Sequence, residues 1–149
     1  MILFEIAVEF RKAIIQVKNN NEFDYRDRMY RFPSGCCDDS CDLLGYHLLH
    51  RYGIHTMQEI GEYRDGNPKN TFNHAWLVTD DDIIIDITMD QFKNQFEETD
   101  FDVFIGRKTD HAFYSIFDDY SKHNNFNITL LYSQLLFLIF SFFVLFESQ

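Results

Sequence analysis

The sequence predicts an α+β domain, and three observations point there. An amphipathic stripe covers about residues 2–17, a second helical stripe runs up to Gly53, and the chain beyond breaks into short β-rich runs separated by turn residues. The 149 residues suit a single domain with a real core. A composition of 46% hydrophobic and 17% aromatic residues, with 17 Phe, argues against a disordered chain. Thirteen Lys+Arg against 24 Asp+Glu give a formal charge of −11 with no basic stripe, which argues against a nucleic-acid partner. Three cysteines, two of them adjacent, make no disulfide framework and fit a reducing, cytoplasmic compartment.

The first element is the N-terminal helix. Ile2, Phe4, Ile6, Ala7, Phe10, Ala13 and Ile14 trace a broad apolar face, while Glu5, Glu9, Arg11 and Lys12 interrupt the run and distinguish it from a secretory signal. The following NNNEFDYRDRMYR is polar and turn-rich and reads as a surface connection.

Pro33 and Gly35 then break the chain, and Ser34 or Gly35 is placed to cap a new helix. Cys37, Cys41, Leu44, Leu48 and Tyr52 recur at spacings of 4, 3, 4 and 4, forming one stripe that Gly53 terminates. Cys37 falls in the first turn, where a helix N-terminus stabilises a thiolate. Asp38 and Asp39 oppose that effect, so a cation is needed nearby. A cysteine in such a stripe is most often plain core, and Cys41, one turn deeper, is read so. Cys37 gains a functional reading only if a histidine stands beside it.

Such a histidine follows in TFNHAWLVTDDDIIIDITMDQF. Two β-rich runs, about 73–79 and 83–88, flank Asp80-Asp81-Asp82, the signature of a hairpin. With a three-residue loop, Thr79 pairs with Ile83, so that paired numbers sum to 162. His74 then faces Thr88 and Trp76 faces Asp86, all on one side of the sheet because the strand period is two. His74 and Asp86 become diagonal neighbours roughly 7–8 Å apart at the backbone, within side-chain reach. A slip of one residue would send Asp86 to the other face.

These residue types belong together chemically. A cysteine nucleophile needs an imidazole as ion-pair partner and later proton donor, and the imidazole needs a carboxylate to hold its tautomer. Asp86 lies inside the apolar run IIIDIT, where an unpaired acid is expensive. Taken singly, His74 reads as a satisfied strand histidine and Asp86 as a capping carboxylate; with Cys37 they read as a catalytic set. A zinc site from Cys36, Cys37, Cys41 and His74 lacks the usual paired-cysteine spacing, so no metal is expected. His47, His50, His55, His111 and His123 are read as mostly exposed.

The ordered set of Cys37, Gly53-Ile54, His74-Ala75-Trp76 and Ile85-Asp86-Ile87-Thr88 resembles the transglutaminase-like branch of the papain-like cysteine hydrolases. The longer string FPSGCCDD…LL…HAWL…IDIT.DQF is also similar to small bacterial papain-like domains of mostly unassigned function. The resemblance covers about residues 32–92. It implies a papain-like (transglutaminase-like) domain with the catalytic cysteine at a helix N-terminus against an antiparallel sheet, with Cys37 as nucleophile, His74 as acid and base, Asp86 as the orienting group, and no cofactor. The chain departs from the pattern in two ways. Cys37 precedes Asp38-Asp39 rather than a small residue, which leaves Cys36 as a competitor. No glutamine stands upstream to donate to an oxyanion, leaving the backbone N–H of Cys37 for that role. Gln91 either lines the site or serves a surface or capping role.

TMQEIGEY (56–63) and FDVFIG (101–106) read as further strands, and a short helix is expected over 111–120. The expected function is an acyl-enzyme mechanism on a peptide or protein amide, by hydrolysis, acyl transfer or deamidation. A non-catalytic binding module on the same scaffold is the alternative. Residues 1–127 form the expected catalytic domain and 128–149 an apolar C-terminal helix. Ile128–Phe146 carries no charge over 19 residues, long enough to cross a hydrocarbon core of roughly 30 Å. It is therefore read as either a helix packed on the domain or a membrane or partner anchor.

Overall fold

The apolar face of the N-terminal segment forms α1, Leu3–Asn19, with Ile6, Ala7, Phe10, Ala13, Ile14 and Val17 buried. Glu5 in its first turn accepts a hydrogen bond from the Ile2 N–H at 3.3 Å, satisfying one of the donors left free at a helix start. The computed structural model describes residues 2–123, 136–141 and 143. The connection after α1 is more than surface. Phe23 and Met29 are buried anchors within it, and Arg28–Arg31 make a 3-10 turn capped by the Asp27 side chain. Two apolar residues in a polar stretch are easily averaged away in a window, yet each fills core space on its own.

Helix α2, Cys37–Tyr52, begins one or two residues later than the sequence suggested: its N-cap is Cys36, after Gly35 at φ +69°. At the other end Gly53 adopts the left-handed conformation at φ +66°, and the N–H groups of Gly53 and Ile54 bond the carbonyls of Leu49 and Leu48, each at 3.0 Å. A residue with a Cβ is strained there, which is why glycine stops the helix.

Five strands follow: β1 Thr56–Tyr63, β2 Phe72–Thr79, β3 Ile84–Asp86, β4 Phe104–Gly106 and β5 Asp118–His123. They form one antiparallel sheet in the order β4-β3-β2-β1-β5. The β2–β3 hairpin has the register expected from a three-residue loop, with Leu77 opposite Ile85 and Val78 opposite Ile84. Thr79 N–H bonds the Ile83 carbonyl at 2.9 Å, and Asp82 takes the positive φ of 61° that closes the turn.

Because side chains alternate along a strand, the hairpin feeds two cores. Ala75, Leu77, Ile85 and Ile87 join the side chains of α1 and α2, whereas Trp76, Val78 and Ile84 join Met89, Phe92, Phe113, Tyr114 and Phe117 in an aromatic cluster. Gly61, opposite His74, lets the aromatic cluster close over the strand: a Cβ there would lie 2.6 Å from the Cβ of Phe117 and 2.9 Å from Trp76 Cη2.

The helix expected over 111–120 is not formed. Ala112–Ile116 is a 3-10 turn, and β5 then pairs with the outer edge of β1, Ile60 opposite Ser121 and Glu59 opposite Lys122. The segment DDYSKH carries no apolar period. Its strand conformation comes from the free edge of β1, a non-local partner that satisfies backbone groups.

The membrane association expected of the C-terminal run is also corrected. Among the described residues no helix is long and apolar enough to cross a membrane. Where the run is described, Leu136 and Ile139 are buried in the same core as α1 and α2, with Leu138, Phe140 and Phe143 packed against it. Apolar surface consumed by a protein core is not available to lipid. The boundary placed between 127 and 128 lies outside the described residues.

Candidate active site

Strand β2 delivers His74 and the end of β3 delivers Asp86 on the same side of the sheet, and their side chains meet. His74 Nε2 lies 2.6 Å from Asp86 Oδ2, with the two side chains 0% and 1% exposed. The carboxylate is saturated with donors. Its Oδ1 accepts the Thr88 N–H at 2.9 Å and the Thr88 hydroxyl at 3.3 Å, and its Oδ2 accepts the Tyr114 hydroxyl at 2.9 Å. Burial alone would push this carboxyl up, but the His74 charge and these hydrogen bonds hold it below the usual carboxylate range.

The imidazole is clamped in an aromatic box. Trp76, Phe92, Phe113 and Phe117 surround it at ring-centroid distances of 5.6, 4.9, 5.7 and 6.0 Å, Phe92 and Phe113 meeting it by an edge. Desolvation opposes a charged ring here, yet Asp86 by charge and hydrogen bond, and Cys37 to a smaller extent, raise His74 to about 9. With Nε2 committed to Asp86, Nδ1 is the ring nitrogen left for other partners. The Cys37 thiol, in the first turn of α2, lies within hydrogen-bonding reach of the imidazole. The structure thus brings Cys37, His74 and Asp86 together.

The three cysteines are separated by their surroundings. Cys36 is fully buried and its thiol is pushed up to about 12, mainly by desolvation. Cys41 is buried one turn deeper and is raised well above the ordinary thiol range, again mainly by desolvation. Cys37 alone is half-buried. The cation that Asp38 and Asp39 call for is Arg28, whose guanidinium meets Asp38 at 3.3 Å and Asp39 at 2.8 Å. Burial and the neighbouring acids nonetheless raise Asp39 to about 6 and Asp42 to about 7.

Several members of the site were missed. Tyr114 arrives from the 3-10 turn after β4, at a sequence separation of 28 from Asp86, and no local pattern marks it. Thr88 carries a local signal, since an acid two residues before a threonine can accept its N–H in a tight turn. Arg11 of α1, one of the charges that interrupt the apolar run, is buried: its guanidinium grips both Asp90 oxygens at 2.9 and 2.7 Å and also donates to the Ile87 carbonyl. That clamp ties α1 to the turn Met89–Phe92, which carries Gln91. Gln91 Nε2 donates to the Thr88 carbonyl at 3.0 Å and stands 3.4 Å from His74 Nδ1. His47, expected at the surface, is buried as well. Among the described residues no cluster of three or more His, Cys, Asp or Glu is placed to hold a metal ion.

No family model, curated protein or solved structure matches the chain.

Proposed function

We propose that the chain is a cysteine-dependent amide or peptide hydrolase or acyltransferase, built on a papain-like, transglutaminase-like domain, with Cys37, His74 and Asp86 as its catalytic set. One observation carries the reading: a fully buried His74–Asp86 pair whose imidazole is influenced by Cys37, the half-buried one of the three cysteines. A buried ion pair contributes little net stability and costs several kcal/mol of desolvation, so stability alone is a poor reason for one. An imidazole poised beside a thiol has a use.

In the proposed reaction Cys37 and His74 act as a thiolate–imidazolium pair, the imidazolium held by Asp86. The thiolate attacks the substrate carbonyl carbon, forming a C–S bond and a tetrahedral oxyanion. His74 returns the proton to the leaving amine as the C–N bond breaks, giving an acyl-enzyme. Water or an acceptor amine then attacks the thioester, with His74 taking its proton and handing it to the departing Cys37 sulfur. Asp86 stabilises the imidazolium and fixes its tautomer without itself gaining a proton. A peptide or protein amide is the proposed substrate class.

The test is selective alkylation. At pH 6, iodoacetamide is expected to modify Cys37 at least about tenfold faster than Cys36 or Cys41, read by peptide mass spectrometry. His74→Ala should abolish the preference. Equal or undetectable labelling of all three thiols in the folded chain would sink the catalytic reading and leave a binding module on the same scaffold.

A further inference from the structure

Asp86 holds His74 through one oxygen, and a second donor competes for that same atom. We infer that Tyr114 is a positioning residue for the proposed reaction: its hydroxyl shares Asp86 Oδ2 with His74 Nε2 and limits how firmly the carboxylate holds the imidazolium. This inference rests on the reading of Cys37 and His74 just proposed and adds a group that acts through Asp86 rather than on the reacting atoms.

The two carboxylate oxygens are loaded differently. Oδ1 accepts the Thr88 N–H at 2.9 Å and the Thr88 hydroxyl at 3.3 Å, so the carboxylate is anchored by its own turn without help from Tyr114. Oδ2 accepts from His74 Nε2 at 2.6 Å and from the Tyr114 hydroxyl at 2.9 Å. His74, Asp86, Thr88 and Tyr114 are all fully buried, so water does not screen the competition. A hydroxyl hydrogen aimed at Oδ2 draws negative charge from the atom that the imidazolium binds. Tyr114 therefore stabilises the carboxylate while weakening its hold on the imidazolium. A less firmly held imidazolium is a readier proton donor to the leaving amine.

The hydroxyl is fixed for this role. Tyr114 comes from the 3-10 turn Ala112–Ile116, and its ring packs against Trp76 at 5.1 Å and Phe104 at 5.0 Å. Desolvation and the Asp86 charge hold the phenol well above the ordinary tyrosine range, so it remains a donor wherever His74 titrates. The other titratable groups acting on the pair come from α2: Cys37 on His74, and Cys41 on Asp86 and Tyr114. Desolvation keeps Cys41 a neutral thiol, so it adds no competing charge. Among the described residues, the remaining sides of the imidazole meet the rings of Trp76, Phe92, Phe113 and Phe117 and the uncharged Gln91 amide.

The experiment follows the His74 imidazole resonances of the full chain by NMR against pH, in the wild type and in two variants. Tyr114→Phe removes the competing donor and is expected to raise the His74 midpoint by about one pH unit, a tenfold gain in proton affinity. Tyr114→3-fluorotyrosine keeps the shape of the side chain and makes the hydroxyl more acidic, hence a stronger donor. It is expected to lower the midpoint below the wild-type value. Selective alkylation of Cys37 at pH 6 should persist in both variants, because Thr88 still anchors Asp86. An unchanged His74 midpoint in both would overturn the role of Tyr114 while leaving the Cys37–His74 proposal standing. A lower midpoint in Tyr114→Phe would also overturn it, as the mark of a hydroxyl that merely keeps Asp86 in place. Absence of selective Cys37 alkylation in the wild-type chain would bring down both.

Discussion

Two buried histidines sit in different parts of this molecule and behave in opposite ways. His74 lies in the aromatic layer of the sheet, 0% exposed, with Asp86 at 2.6 Å, and is raised to about 9. His47 lies in the helical layer, 1% exposed, ringed by Phe10, Tyr52, Phe140 and Phe143 at 4.9 to 5.5 Å. Among the described residues neither of its ring nitrogens has a hydrogen-bond partner, and burial, helped by the charge of Arg51, lowers it to about 4. Desolvation acts to lower both rings. The difference is one carboxylate, itself secured by Thr88 and Tyr114. Desolvation alone makes a histidine inert, whereas desolvation with a fixed charge partner makes one that holds and hands over a proton.

The most direct way to break this comparison is to remove the carboxylate. Asp86→Asn turns the His74 environment into one like that of His47. It should lower the His74 pKa below the ordinary value, remove the selective alkylation of Cys37, and cost about 3 kcal/mol of stability, the low end for stripping one partner from a buried pair. Imidazole resonances followed by NMR against pH, with chemical denaturation alongside, measure both. A His74 that still titrates near 9 in this variant would refute the assignment of its shift to Asp86.

The opposite change belongs at His47. Replacing it by Phe removes two unsatisfied polar atoms from an aromatic cage and should leave stability at pH 7 unchanged or raise it by about 1 kcal/mol. Its effect on pH dependence is sharper. His47 has a folded pKa below its unfolded value, so the neutral ring's contribution is fully present above pH 6.5 and is lost as pH falls toward 4. His74 is the reverse: its contribution is fully present below 6.5 and is lost as pH rises through about 9. Denaturation midpoints should therefore show a shallower acid limb in His47→Phe and an unchanged alkaline one. An unaltered acid limb would mean that other groups carry the acid sensitivity.

The smallest effect is expected at the helix start. Arg28→Gln removes the cation facing Asp38 and Asp39 from a half-exposed position, so its loss should slow Cys37 alkylation only about two- to threefold at low salt, with the difference fading as ionic strength rises. A faster reaction in that variant would reverse the sign assigned to these acids.

Much of the site was legible because it depends on local periods. The 3.6-residue stripe placed Cys37 in the first turn of α2. The two-residue strand period, with a three-aspartate turn, put His74 and Asp86 on one side of a hairpin in the observed register. What was not legible came from distant chain. Tyr114 reaches Asp86 across 28 residues and Arg11 reaches Asp90 across 79. β5 exists because β1 offers it an edge, and His47 is buried because helical residues near 140 cover it.

The sequence by itself therefore determined the α+β class, the helix carrying the cysteine, the hairpin register and the identity of the three candidate catalytic residues, since periodicity and turn chemistry act over a few residues. Only the tertiary structure decided which of two buried histidines would be charged, which cysteine would stay accessible, and where Gln91 would point. Each of those depends on desolvation and on partners from remote segments, and no neighbour in the chain encodes them.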